Sequence, residues 1–141
     1  MRSAVILLCL LWLSLAWAAP LRVLFIGNSH TYGNNMPQLV ADMAVAAKEP
    51  RTPEFKLVTA GGFTLQQHWE NGTALKIIQA ERWDYVVLQE QSSRIVMESG
   101  YYRTWARLFD QEIRKSGART VLFMGWQRKD VLERMPFTGS V

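Results

Sequence analysis

Cysteine is almost missing from this chain: Cys9 is the single one in 141 residues. It lies in the apolar N-terminal stretch, so the rest of the chain has no disulfide, no thiol nucleophile and no cysteine-based metal site. Histidine is nearly as scarce, with His30 and His68 alone. Neither has acids at ligand spacing beside it, so no metal is expected. The glycine patterns of dinucleotide and nucleotide sites, G-x-G-x-x-G and G-x-x-x-x-G-K-[ST], are absent, and no cofactor is expected. No repeat, low-complexity tract or linker interrupts the chain, which reads as one domain.

Charge of one sign is also in short supply. Sixteen Lys and Arg stand against twelve Asp and Glu, for a net +4. The basic residues are scattered. Arg103, Arg107, Arg114, Lys115 and Arg119 run along one amphipathic segment and its exit with Asp110 and Glu112 among them. That is a solvated face, and it argues against nucleic acid as a partner.

The one long hydrophobic run is N-terminal. Met1-Arg2-Ser3 is a basic start, Ala4 to Leu15 an apolar stretch, and Ala16-Trp17-Ala18 an A-x-A cleavage site. Residues 1–18 therefore read as a secretory signal, too short for a comfortable membrane span and with no stop-transfer segment after it. Leu8 before Cys9 is too large for good lipoprotein cleavage, so no lipid anchor is expected. Removing the signal takes one arginine and leaves fifteen cations against twelve anions. An exported, cysteine-free domain suits a bacterial periplasm or the exterior, with no stable membrane span after cleavage.

The domain left, residues 19–141, alternates two kinds of segment. Leu21–Ile26, Phe55–Thr59, Tyr85–Leu88 and Thr120–Met124 are short, near-continuous apolar runs, as expected of strands covered on both faces. Between them lie amphipathic stretches. Met36, Leu39, Val40, Met43, Ala44 and Ala47 form one helical stripe; Trp105, Leu108, Phe109 and Ile113 form another, ended by Gly117. The middle crossover divides at Asn71-Gly72-Thr73 into a Leu65–Glu70 turn and a helix capped by Thr73. Such alternation predicts an α/β fold, a three-layer doubly wound parallel sheet of flavodoxin-like type. Four strands are few for such a domain, so it reads as C-terminally incomplete.

Chemistry gathers after the strands. Leu21–Ile26 stops at Gly27-Asn28-Ser29, which puts a serine at a strand-to-helix junction. Ala60-Gly61-Gly62-Phe63 follows the second strand. Gln89-Glu90-Gln91-Ser92-Ser93 follows the third. In a parallel sheet all three loops leave the same edge. A serine, backbone N–H groups and a side-chain amide gathered there would make an oxyanion hole. Ser29 as a helix cap, Gly61-Gly62 as a plain turn and the glutamines as strand-end hydrogen-bonders are the simpler readings of each loop alone. Glu90 reads as holding its loop or pairing with Arg94. Trp69, Trp83 and Trp105 read as packing. Trp126, just after the fourth strand, is the aromatic best placed to touch a substrate.

The three loops in this order resemble the SGNH (GDSL-like) hydrolase superfamily, over Leu21 to about Gln127. The resemblance implies an ester hydrolase in which Ser29 is the nucleophile. Its oxyanion hole is formed by the N–H groups of Ser29 and Gly62 (Gly61 being the alternative) and by an amide from Gln89 or Gln91. The third block departs from the family's Gly-x-Asn and looks like the glutamine variants of carbohydrate-directed esterases. Asn28 stands where the family usually has aspartate. The substrate implied is a small-molecule or carbohydrate ester. The family's Asp-x-x-His block has no match. His30 should diverge from Ser29, and His68 is expected as a partly exposed histidine or an alternative base. A serine without a base is weak, so a truncated, poorly active chain and a non-catalytic carbohydrate- or acyl-binding domain are the competing expectations.

Overall fold

The computed structural model describes residues 19–97 and 99–125. Residues 1–18, read above as a secretory signal, and Trp126 lie outside them. Four strands form one wholly parallel sheet: β1 (Leu21–Gly27), β2 (Pro53–Thr59), β3 (Tyr85–Leu88) and β4 (Arg119–Leu122), in the order β2-β1-β3-β4. Among the described residues six α-helices accompany them: α1 (Ser29–Tyr32), α2 (Met36–Ala46), α3 (Leu65–Asn71), α4 (Thr73–Ala80), α5 (Ser92–Met97) and α6 (Ser99–Lys115). The register pairs Val23 with Phe55 on one side and with Tyr85 on the other.

Side-chain alternation along the central strands makes the layers. Leu24 and Ile26 of β1 and Val86 and Leu88 of β3 face Leu65, Ala74, Ile78, Phe109 and Ile113 of α3, α4 and α6, all fully buried. Burying each such side chain contributes about 1.5–3 kcal/mol. Val23, Phe25, Tyr85 and Val87 point the other way, toward Met36 and Val40 of α2, where an apolar groove of about 560 Å³ extends to Val121 and Met124. The result is the expected three-layer α/β arrangement, with one face covered by three helices and the other by α2.

Two expectations need correcting. The outer strands are not buried on both faces: β2 alternates between half-buried and exposed, and Val121 and Leu122 of β4 are exposed. Both are sheet edges, so each has a neighbour on one side among the described residues. Thr73 is not a cap. Gly72, at φ 76°, holds the N-cap position and Thr73 starts α4. A glycine takes that left-handed backbone without the Cβ penalty. Gly117 (φ 85°) ends α6 as expected, with the Ala118 N–H donating to Ile113 O at 3.2 Å. The tryptophans pack as expected. Trp69 lies edge-on to Phe109, 5.2 Å between ring centroids, and Trp83 is buried beneath the Arg22 guanidinium.

Candidate active site

Three loops leave the carboxyl ends of β1, β2 and β3, and hydrogen bonds join them in every pairing. In the first, β1 runs into Asn28, whose extended backbone (φ −128°, ψ −153°) breaks the strand and caps α1. Its Oδ1 accepts the His30 N–H at 3.1 Å. Ser29 is thus the first residue of a one-turn helix, exposed at the sheet edge, where the sequence placed it. The apolar helical stripe in the sequence starts only at Met36. Instead a turn forms at once at Ser29, then breaks at Asn34 and Asn35, both left-handed (φ 52° and 53°), before α2 begins at Met36. Asparagine tolerates that conformation better than most residues.

The second loop is a tight turn in which the Phe63 N–H donates to Ala60 O at 3.2 Å. Gly62 sits at its third position with φ 72°, and both glycines are exposed. The positive φ accounts for glycine at 62. The turn feeds α3 through a capping box not anticipated from the sequence: Thr64 Oγ1 accepts the Gln67 N–H and Gln67 Oε1 accepts the Thr64 N–H. The signal was present as Thr-x-x-Gln before an apolar run.

The third loop supplies the clamps. Gln89 is buried (2% exposed), and its Oε1 accepts from the Asn28 N–H and the Thr31 hydroxyl, both at 2.9 Å. Its Nε2 donates to Glu90 O. The oxygen and one of the two N–H donors of this buried amide are used inside the turn. Gln91 differs. Its Oε1 accepts from the N–H groups of Ser93 and Arg94 and from the Ser93 hydroxyl, capping α5, while its Nε2 has no hydrogen bond among the described residues. Glu90 holds its loop as expected, through a buried carboxylate that accepts the Leu65 N–H at the start of α3 and the Gln91 N–H at 2.7 Å. Asn28 Nδ2 closes the set by donating to Phe63 O at 2.9 Å.

His68 departs from the exposed position expected of it. It is buried (3% exposed), not on the surface, and its Nε2 lies 2.8 Å from Gly27 O. A carbonyl only accepts, so Nε2 carries the proton. Burial holds its pKa below the ordinary 6.5, against the smaller opposite pull of that hydrogen bond. The ring is neutral at neutral pH and Nε2 is not a free base. Among the described residues no three His, Cys, Asp or Glu group to hold a metal, and no helix is long and apolar enough to cross a membrane.

No family model and no curated protein matches the chain. Among solved structures it is similar to "a putative SGNH hydrolase from Slackia heliotrinireducens", with a TM-score of 0.66 and 28% identity over 76% of this chain. The chain has an SGNH hydrolase fold. A second similar structure is TesA, with a TM-score of 0.54 and 18% identity over 72% of this chain, a likeness of fold alone. The chain spans 57% of the first and 58% of the second. In this SGNH fold the exposed residues on the three loops are Ser29, Gly61 and Gly62, with Gln91 half-buried beside them. The buried ones, Asn28, Gln89 and Glu90, tie the loops together.

Proposed function

We propose that this chain carries the nucleophile and oxyanion half of an exported SGNH-type ester hydrolase. The single observation that carries the reading is the division of labour on the three stitched loops. Asn28, Gln89, Glu90 and His68 are buried and spent on one another or on backbone. Ser29 is exposed, and neither its hydroxyl nor its N–H makes a hydrogen bond among the described residues. In the reaction the Ser29 hydroxyl attacks an ester carbonyl. The N–H groups of Ser29 and Gly62 and the free Nε2 of Gln91 donate to the oxyanion as it forms. A general base takes the serine proton and passes it to the leaving alkoxide. The Nε2 of His68 does not fill that role, because its proton is given to Gly27 O. The family resemblance assigns the base to an Asp-x-x-His segment, a pattern with no match in these 141 residues.

The substrate class is a small acyl ester, with an acylated carbohydrate as the form suggested by the glutamines of the third loop. Export rests on residues 1–18, and N-terminal sequencing of secreted protein should begin at Ala19. The test of the reaction is hydrolysis of p-nitrophenyl acetate by the chain, by Ser29→Ala and by a version extended with an Asp-x-x-His segment. The reading expects a weak Ser29-dependent rate that the extension raises on the order of 10⁴-fold. The scarcity of bases favours one second reading, an acyl- or carbohydrate-binding domain without turnover. A Ser29-independent rate combined with ester binding would establish it.

A further inference from the structure

We infer that His68 is a positioning residue that sets the spacing between the two backbone donors of the oxyanion hole; the inference rests on the hydrolase reading above. Gly27 O receives two donors from opposite ends of the second loop. The Ala60 N–H reaches it at 3.2 Å from the start of that loop, and His68 Nε2 at 2.8 Å from the helix that ends it. Gly62 lies between those two anchors, and Ser29 lies two residues beyond Gly27 on the other chain segment. One oxygen therefore fixes where the Gly62 N–H stands relative to the Ser29 N–H. The opposite side of Gly27 is held as firmly. A Cβ there would fall 2.4 Å from Thr31 Oγ1 and 2.6 Å from Gln89 Oε1, so the turn has no room to slide toward β3.

The His68 ring is itself held. It packs on Phe63, 5.2 Å between centroids, and it sits one turn inside a helix with a capping box at its start. Donors drawn from two separate loops work only if placed to within about 0.5 Å. A histidine that bonds across the loops supplies that constraint, and a residue that merely fills the space does not.

The test compares His68→Leu, which fills the space without a donor, with His68→Gln, which offers an amide donor at similar reach. All proteins are the full chain, checked for folding by circular dichroism. The first readout is the rate at which p-nitrophenyl acetate acylates Ser29, followed by mass spectrometry, with Ser29→Ala as the control. His68→Leu should lower it on the order of 10- to 100-fold, and His68→Gln should recover most of the loss. The second readout does not depend on activity. Hydrogen exchange at the Ala60 and Asn28 amides should quicken in His68→Leu and stay slow in His68→Gln. Equal exchange protection in folded wild type and His68→Leu overturns the inference. So does a Ser29 acylation rate that His68→Leu leaves unaltered. If Ser29→Ala is acylated as fast as wild type, the hydrolase reading fails instead. The exchange comparison then still decides whether His68 sets the spacing of the two loops.

Discussion

Replacing Gly27 with alanine should unfold much of this protein's stability margin, and the structure gives the size. The new Cβ would stand 2.4 Å from Thr31 Oγ1, 2.6 Å from Gln89 Oε1 and 3.0 Å from Gln89 Cβ. These distances are about 1 Å inside ordinary contact. Neither neighbour has an easy retreat. Gln89 Oε1 holds the Asn28 N–H and the Thr31 hydroxyl, both at 2.9 Å, in the buried interior. Moving Gln89 away breaks both bonds, at about 1–3 kcal/mol for each buried group left unpaired. Leaving it in place is overpacking, at about 1–3 kcal/mol. The cheaper mixture of the two should cost about 3–5 kcal/mol, against a total of about 5–15 kcal/mol for a typical domain. Thermal and urea melts by circular dichroism should show Tm falling by at least roughly 12 °C. Gly33→Ala is the control, since nothing lies within 4 Å of its added Cβ, and it should change little. In the double variant Gly27→Ala with Gln89→Ala, part of the clash is gone, so the two losses should add to less than their sum. A Gly27→Ala protein that melts within about 2 °C of wild type would refute the clamp and the role given to Gln89.

The two glutamines should separate by what they lose. Gln89→Leu should cost about 2–3 kcal/mol, because the Asn28 N–H and the Thr31 hydroxyl lose their acceptor. Gln91→Leu should cost about 1 kcal/mol for the α5 cap but lower Ser29 acylation on the order of 10²-fold; the opposite pattern would return the amide role to Gln89. Acid should weaken the fold through His68. Its folded pKa lies below the 6.5 of the free group. Above that value both states are neutral and stability is level. As pH falls below it the unfolded chain takes up a proton that the folded chain refuses, so stability drops until the folded pKa is passed. Urea midpoints of His68→Gln should lack this component. Asp84, whose pKa is lowered first by its Arg51 hydrogen bond, adds a separate loss only below its ordinary 3.8. It stays in both proteins and cancels in the difference.

The strands and the loop positions were legible because they rest on local patterns. Leu21–Ile26 and Tyr85–Leu88 are apolar runs bounded by polar turns, and β1 and β3 fall on them within a residue. Strand–helix alternation then placed Ser29, Gly62 and the glutamines on one edge. What stayed hidden was which polar side chains turn inward. Gln89 and Gln91 are two apart and chemically identical, yet one is buried with three side-chain hydrogen bonds and the amide nitrogen of the other has none among the described residues. Only the closeness of β1 to β3 decides that, and the distance lies 61 residues away in sequence. His68 was hidden for the same reason, its partner Gly27 being 41 residues away. The one-turn α1 escaped because four residues carry no periodicity.

The central claim is that Ser29 is a nucleophile held between oxyanion donors, and covalent labelling tests it most directly. The chain is incubated with p-nitrophenyl acetate or a fluorophosphonate, digested and mapped by mass spectrometry. The account predicts slow labelling, in the absence of an Asp-x-x-His base, that concentrates on the Ser29 peptide and disappears in Ser29→Ala. Label spread over surface lysines and tyrosines, unchanged in Ser29→Ala, would contradict it.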